Sequence, residues 1–266
     1  MLEVFWFYLN LANFKDSIFL KLVMSSEVFF VSGVSLDRRN FGEKDILLTC
    51  FTKLGVEKFI LKGAKKISSK QSGKTDLLSF FSSRCVKKKS GFIEVIETKE
   101  ERAFFSPETF SRNSECLFLL LKFLKKNLQG ESSSLEVFDK LVLTLEVSSR
   151  NEKMVPKLVS FFTSFLVSKS QVFSLDFFRF CSKCKRSLSK NLSKFYFVNF
   201  YKRTVICEFC HLEKYGGESF KLEKNALKML ILSERIPVEK WPQVRVKNDT
   251  VINLLSFFNE LEKNIR

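Results

Sequence analysis

The sequence predicts an α+β protein: a small β-barrel, then an all-α domain with a four-cysteine zinc knuckle inserted in it. Three observations carry this expectation. Short β-forming runs fill residues 28–98, helical periodicity takes over beyond residue 106, and two C-x-x-C pairs stand inside the helical half. At 266 residues and 45% hydrophobic content, the chain can bury a sizeable core.

The β region divides into five runs, expected at 28–36, 45–52, 56–64, 77–86 and 92–98. Gly42, Gly55 and the Lys87-Lys88-Lys89-Ser90-Gly91 segment punctuate them as turns. Five short strands without helical repeats between most of them suggest a small closed or partly open barrel, of which the OB-fold is the obvious candidate. The expected division is an N-terminal extension over 1–25, the barrel over 26–105, and the helical domain over 106–266 with the knuckle at 181–210. Residues 1–23 are apolar but interrupted by Lys15, Asp16 and Lys21, with Glu3 where a secretory signal wants positive charge. Met24-Ser-Ser-Glu27 reads as a natural start, which leaves the preceding stretch open to being untranslated.

Ser106 is placed to cap a helix with Pro107 at its first position. Leu117, Leu120, Leu121, Leu124 and Leu128 continue at helical spacing, which predicts one helix up to Gly130. Further helices are expected over 134–147, 156–167, 175–180, 222–233 and 250–263, with Pro237 and Pro242 marking the loop between the last two. A β-hairpin is expected from 194–200 and 203–206, between the cysteine pairs.

Cys181 and Cys184 form one pair, Cys207 and Cys210 the other. A C-x-x-C turn presents two thiolates on one side of a tight loop, and two such turns give four soft ligands at tetrahedral geometry, which suits Zn²⁺. Four thiolates fill the coordination shell and leave no place for an activated water, so the expected role is structural. The competing readings are an iron–sulfur cluster, a disulfide pair, or four unconnected buried cysteines. His211, the one histidine, adjoins Cys210 and is a substitute-ligand candidate. Cys50, Cys85 and Cys116 lie in apolar surroundings and read as reduced core residues.

The chain carries 45 Lys+Arg against 29 Asp+Glu, a formal charge of +16. Such a balance points to a polyanionic partner, either nucleic acid or an acidic membrane surface. Residues 28–90 alone hold 14 Lys+Arg and 5 Asp+Glu, a difference of +9. Arg38, Arg39, Lys44, Lys62, Lys65, Lys66, Lys70 and Lys74 are the candidate phosphate contacts, and the Lys62–Lys74 loop can follow a backbone without reading bases. Phe51 and Phe59 are candidates for stacking on bases, but strand alternation favours their burial in the barrel. Gly73-Lys74-Thr75 lacks the earlier glycine of a phosphate loop, since Ser68 stands there, and a nucleotide site is rejected. An enzyme is not expected: a metal nuclease needs carboxylates or histidines around an open metal. No apolar run reaches the roughly 18 residues that span a bilayer, so a cytoplasmic protein is the expectation.

The order of basic barrel, helical region and distal cysteines resembles the RecO family of bacterial DNA repair and recombination mediators. Locally the resemblance lies in Gly42-Glu43-Lys44-Asp45-Ile46-Leu47-Leu48-Thr49-Cys50-Phe51-Thr52, Gly55, and Lys62-Gly63-Ala64-Lys65. The chain departs from the family at Asp176-Phe177-Phe178-Arg179-Phe180, where many relatives have a Leu-Gly-aromatic turn, and before Cys207, where a Gly-Gly pair is common. The resemblance implies a nucleoid-associated protein that binds single- and double-stranded DNA and anneals complementary strands. It implies partnership with RecR and single-stranded-DNA-binding protein, and RecA loading as the indirect outcome. An RNA-binding or ribosome-associated protein is the alternative, since OB-folds and zinc knuckles serve both polymers.

Overall fold

The computed structural model describes residues 28–65, 76–88, 91–127, 134–169, 175–188, 193–212 and 219–264. The expected N-terminal extension lies outside them, as do Lys66, Lys70 and Lys74. Five strands close into a barrel: β1 (Val28–Phe41), β2 (Asp45–Thr52), β3 (Gly55–Leu61), β4 (Ser79–Lys87) and β5 (Ile93–Ala103). They are ordered β1-β2-β3-β5-β4, with β4 returning to β1. All neighbours are antiparallel except β3 and β5, which pair in parallel through Phe59↔Ile93 and Ile60↔Glu94. This is the expected OB-fold.

Alternation supplies the barrel core. Val31, Ile46, Leu48, Cys50, Phe59, Leu61, Phe81, Cys85, Ile93 and Val95 fill it. Phe59 and Phe81 meet edge-on at 5.6 Å. Gly33 is required by close approach: a Cβ there would stand 2.8 Å from the Phe81 ring and 3.0 Å from the Phe51 carbonyl oxygen. A bulge between Ser35 and Asp37 bends β1 and lets it run to Phe41, five residues beyond the expected end.

Two strand boundaries are corrected. Residues 62–64 form a turn rather than the end of β3, because Gly63 takes φ +63°. At the start of β4, Leu78 adopts φ +57°, donates its N–H to the Ser35 carbonyl at 2.9 Å and is fully buried, so pairing begins at Ser79.

The helical part begins with α1 (Pro107–Arg112) and α2 (Ser114–Asn127), where sequence periodicity suggests one helix. Asn113 explains the break. Its side-chain amide donates to the Thr109 carbonyl at 2.9 Å, competing locally with helix continuation. The expected cap is present: Ser106 Oγ accepts from Thr109 N–H at 3.2 Å. α3 (Ser134–Ser149) and α4 (Val155–Lys169) follow. From Leu158 to Val167 every residue of α4 is buried, so this helix is the axis around which the others pack. Trp241, in a 3₁₀ segment Val238–Gln243, stacks on Phe161 at 5.4 Å. The expected helix over 175–180 is only a 3₁₀ turn, Leu175–Phe178; Phe180 instead bridges to Ser187.

The expected hairpin is present as β6 (Phe195–Asn199) and β7 (Thr204–Cys207), with the short α5 (Glu208–Leu212) after it. A third strand, β8 (Phe220–Glu223), pairs with the other edge of β6. Its four residues run directly into α6 (Lys224–Arg235), so helical periodicity masks them in the sequence. α7 (Asn248–Asn264) follows as the last described helix.

Barrel and helices share a core. Val34, Leu36, Phe51 and Leu78 project from the barrel into the helical cluster, and Phe51 meets Phe138 of α3 edge-on at 5.7 Å. Two ion pairs tie the same junction, Lys125–Asp37 at 3.4 Å and Arg102–Glu146 at 2.8 Å. No helix among the described residues is long and apolar enough to cross a membrane.

Candidate metal centre and nucleic-acid interface

The first cysteine pair sits on a small hairpin turn. Cys181 N–H donates to the Arg186 carbonyl and Lys185 N–H to the Cys181 carbonyl, both at 2.9 Å. Lys185 accepts φ +59° to close the turn. β7 holds the turn in place: Ser182 N–H donates to the Val205 carbonyl at 2.8 Å, and Val205 N–H donates back to Ser182 Oγ at 3.3 Å. Cys207 ends β7 and Cys210 lies in α5, so the hairpin does carry the second pair back to the first. Tyr196 braces the far side by donating to the Leu188 carbonyl at 2.6 Å.

All four sulfurs lie within 4.8 Å of one another, and Cys184 Sγ to Cys207 Sγ is 3.8 Å. Tetrahedral bonds of about 2.3 Å place ligand sulfurs about 3.8 Å apart, so the donor set fits a zinc-sized ion. The same spacing is far beyond the roughly 2.05 Å of a disulfide, and all four cysteines are free thiols. Three are buried and Cys184 is half-buried. Burial raises the Cys181 thiol, but N–H groups of Cys184, Cys207 and Lys183 outweigh it and bring it down to about 7. Burial pushes Cys210 up to about 12. His211 stacks flat on Phe197 at 3.6 Å, outside the four-thiol cluster.

The basic candidates separate into two groups. Lys44, Lys62 and Lys65 come together at one end of the barrel. Lys65 donates from its N–H to the Lys44 carbonyl at 3.1 Å and from Nζ to the Gly42 carbonyl at 2.7 Å. Gly63 N–H is fixed by Asp45 Oδ1 at 2.8 Å, which locks the turn carrying these lysines against the β1–β2 turn. Lys62 reaches Glu94 at 3.0 Å, and Lys88, from the β4–β5 turn, reaches the same carboxylate at 3.3 Å. Burial raises the Glu94 pKa, but hydrogen bonds from both lysines outweigh it and hold it below its ordinary value. Arg38 and Arg39 lie on the long end of β1. Arg38 is exposed, whereas Arg39 is turned onto Asp37 at 2.8 Å. That carboxylate also serves Lys125, so Arg39 is partly committed to the barrel–helix junction.

Phe51 and Phe59 are fully buried, as strand alternation favours, and cannot meet a base. Exposed rings stand elsewhere. Phe41, at the end of β1, and Phe92, just before β5, lie 6.1 Å apart at the lysine-rich end. They are 39% and 38% exposed. Sequence reasoning missed them because closure of the barrel, not local spacing, brings them together.

The chain is thus an OB-fold protein whose barrel is followed by a helical region with a cluster of cysteines fit to bind a metal. Residues 24–100 match the family model of the recombination protein O N-terminal domain, which supports membership of the RecO family. That match supports a role in recombination and repair in general. No curated protein matches the chain.

Proposed function

We propose that this protein is a DNA-binding recombination mediator that carries out no covalent chemistry. One observation carries the reading. Lys44, Lys62, Lys65 and Lys88 converge at the end of the barrel formed by the β1–β2 and β4–β5 turns. OB-folds take oligonucleotides on the face bounded by these two turns. Lysines there neutralise phosphates and release counterions, without reading sequence. A protein that screens two strands at once lowers their mutual repulsion, which is the physical route to annealing.

The cysteine cluster holds structural Zn²⁺ in this reading. It is made from two short turns, and a bound ion would fix β6 and β7 against the 3₁₀ turn that precedes Cys181. A nucleoid-associated, cytoplasmic protein that works with RecR and single-stranded-DNA-binding protein, and assists RecA indirectly, follows from the family resemblance. One feature supports an acidic protein partner. A cavity of about 400 Å³ between α6 and the start of α7 has Lys228, Arg245 and Lys247 around an apolar floor of Met229, Leu232 and Val246. An acidic tail with an apolar side chain complements it.

Strand annealing tests the proposal. Energy transfer between two labelled complementary oligonucleotides should accelerate with the protein present, and still accelerate when the strands are coated with single-stranded-DNA-binding protein. Tight binding without annealing would reject the mediator reading. A tenfold preference for structured RNA over single-stranded DNA would reject DNA as the principal partner.

A further inference from the structure

We infer that Phe41 and Phe92 form a base-stacking platform that makes the barrel end selective for unpaired bases over bare phosphate backbone. The inference rests on the DNA-binding reading above and goes beyond it, since lysines alone cannot distinguish the two. Both rings are more than a third exposed, and they pack against each other. Every base has a π-face, so such a platform holds single strands without reading sequence. Paired and stacked bases in a duplex do not offer that face.

The rings stand on rigid supports. Phe41 is paired with Asp45 across the β1–β2 turn. Phe92 accepts from Lys88 N–H at 2.9 Å through its carbonyl, and Gly91, at φ +84°, shapes the turn between them. The two rings lie 6.1 Å apart and tilted by 51°, a wedge rather than a closed stack. Glu94, two residues after Phe92, holds the ammonium groups of Lys62 and Lys88 at 3.0 and 3.3 Å. Bases on the rings and phosphates on the lysines is the arrangement by which single-strand binders combine stacking with charge.

The test is fluorescence anisotropy with the full chain and two labelled strands of equal length, oligo-dT and an abasic strand with the same backbone. The native protein should prefer oligo-dT by about tenfold for each base stacked. Phe41→Leu with Phe92→Leu should erase that preference, while leaving affinity for the abasic strand and the salt dependence unchanged. Phe41→Tyr, which keeps a ring, should retain the preference, and matching thermal melts show that the variants are folded. Equal binding of both strands by the native protein would overturn the platform and leave the DNA reading standing. Preference undiminished in the double leucine variant would also overturn it. Failure of the native protein to bind either strand at low salt would overturn the DNA reading itself.

Discussion

The cysteine cluster and the lysine-rich barrel end are both assembled from separated segments, yet they are encoded in different ways. The cluster needs only two short turns with fixed residue types, and a single hairpin brings them together. The barrel end needs the long-range topology, because Phe41 and Phe92 meet only when β2 and β3 link the end of β1 to the start of β5, through Phe41↔Asp45, Ile46↔Leu61 and Phe59↔Ile93. The first site is written in local spacing and offers four thiols to one ion. The second is written in topology and depends on many small charge and stacking terms. Removing one residue should therefore be severe in the first and graded in the second.

The largest effect is expected at the cluster. Elemental analysis should find about one zinc per chain, and Cys184→Ser should release it. A structural zinc supplies on the order of 10–16 kcal/mol of apparent binding free energy, so a three-thiolate site should lose several kcal/mol and melt well below the native protein. Cys184 is the half-buried member, and serine is close to it in size, so the loss reports the ligand rather than packing. Protein purified without chelators but containing no metal would break the comparison at its stronger end.

Next in size is Phe51→Ala. This side chain leaves the barrel and packs on Phe138 among the helices. Truncating a fully buried Phe costs about 3–5 kcal/mol. Because one core spans the junction, barrel and helix signals should move together in urea unfolding. Two separated transitions would show that the shared cluster does not couple them.

Much of the fold was legible because its period is local. The runs 45–52 and 134–147 stand out by alternation and by helical spacing, and β2 and α3 begin where expected. The cysteine cluster was legible for the same reason. What escaped was long-range or backbone-specific. The bulge after Ser35 lengthened β1, and Asn113, whose side-chain amide donates to the Thr109 carbonyl, set α1 apart from the helix that carries the leucine stripe. Charge counting found Lys44, Lys62 and Lys65 but could not say that Arg39 is held by Asp37. Alternation favoured burial of Phe51 and Phe59 but could not point to Phe41 and Phe92, because which exposed rings meet depends on the closed sheet.

At the barrel end the expected effects are smaller and additive. Lys44→Ala, Lys62→Ala and Lys88→Ala combined should weaken single-strand binding and make the log–log salt slope less negative by about 2, at roughly 0.7 for each phosphate that is no longer neutralised. Stopped-flow or anisotropy titrations over a salt series measure both. An unchanged slope in the triple variant would remove the phosphate path from this end of the barrel.

The smallest effect belongs to Glu94, and its sign tests the electrostatic account most directly. Glu94 is the carboxylate shared by Lys62 and Lys88, and its pKa lies below the ordinary 4.5. A carboxylate with a depressed folded pKa stabilises the protein above its unfolded pKa and loses that contribution as pH falls through the folded value. The stabilisation should therefore be complete at neutral pH and fade below about 4.5, and Glu94→Gln should remove that part of the acid limb. The same substitution deletes a negative charge beside the proposed phosphate path. Slightly lower stability should thus accompany DNA binding tighter by about two- to fivefold at low salt, with the gain disappearing as salt screens the site. Weaker binding in Glu94→Gln would mean that the carboxylate's larger role is to hold the two lysines in place, and that position outweighs net charge at this end of the barrel.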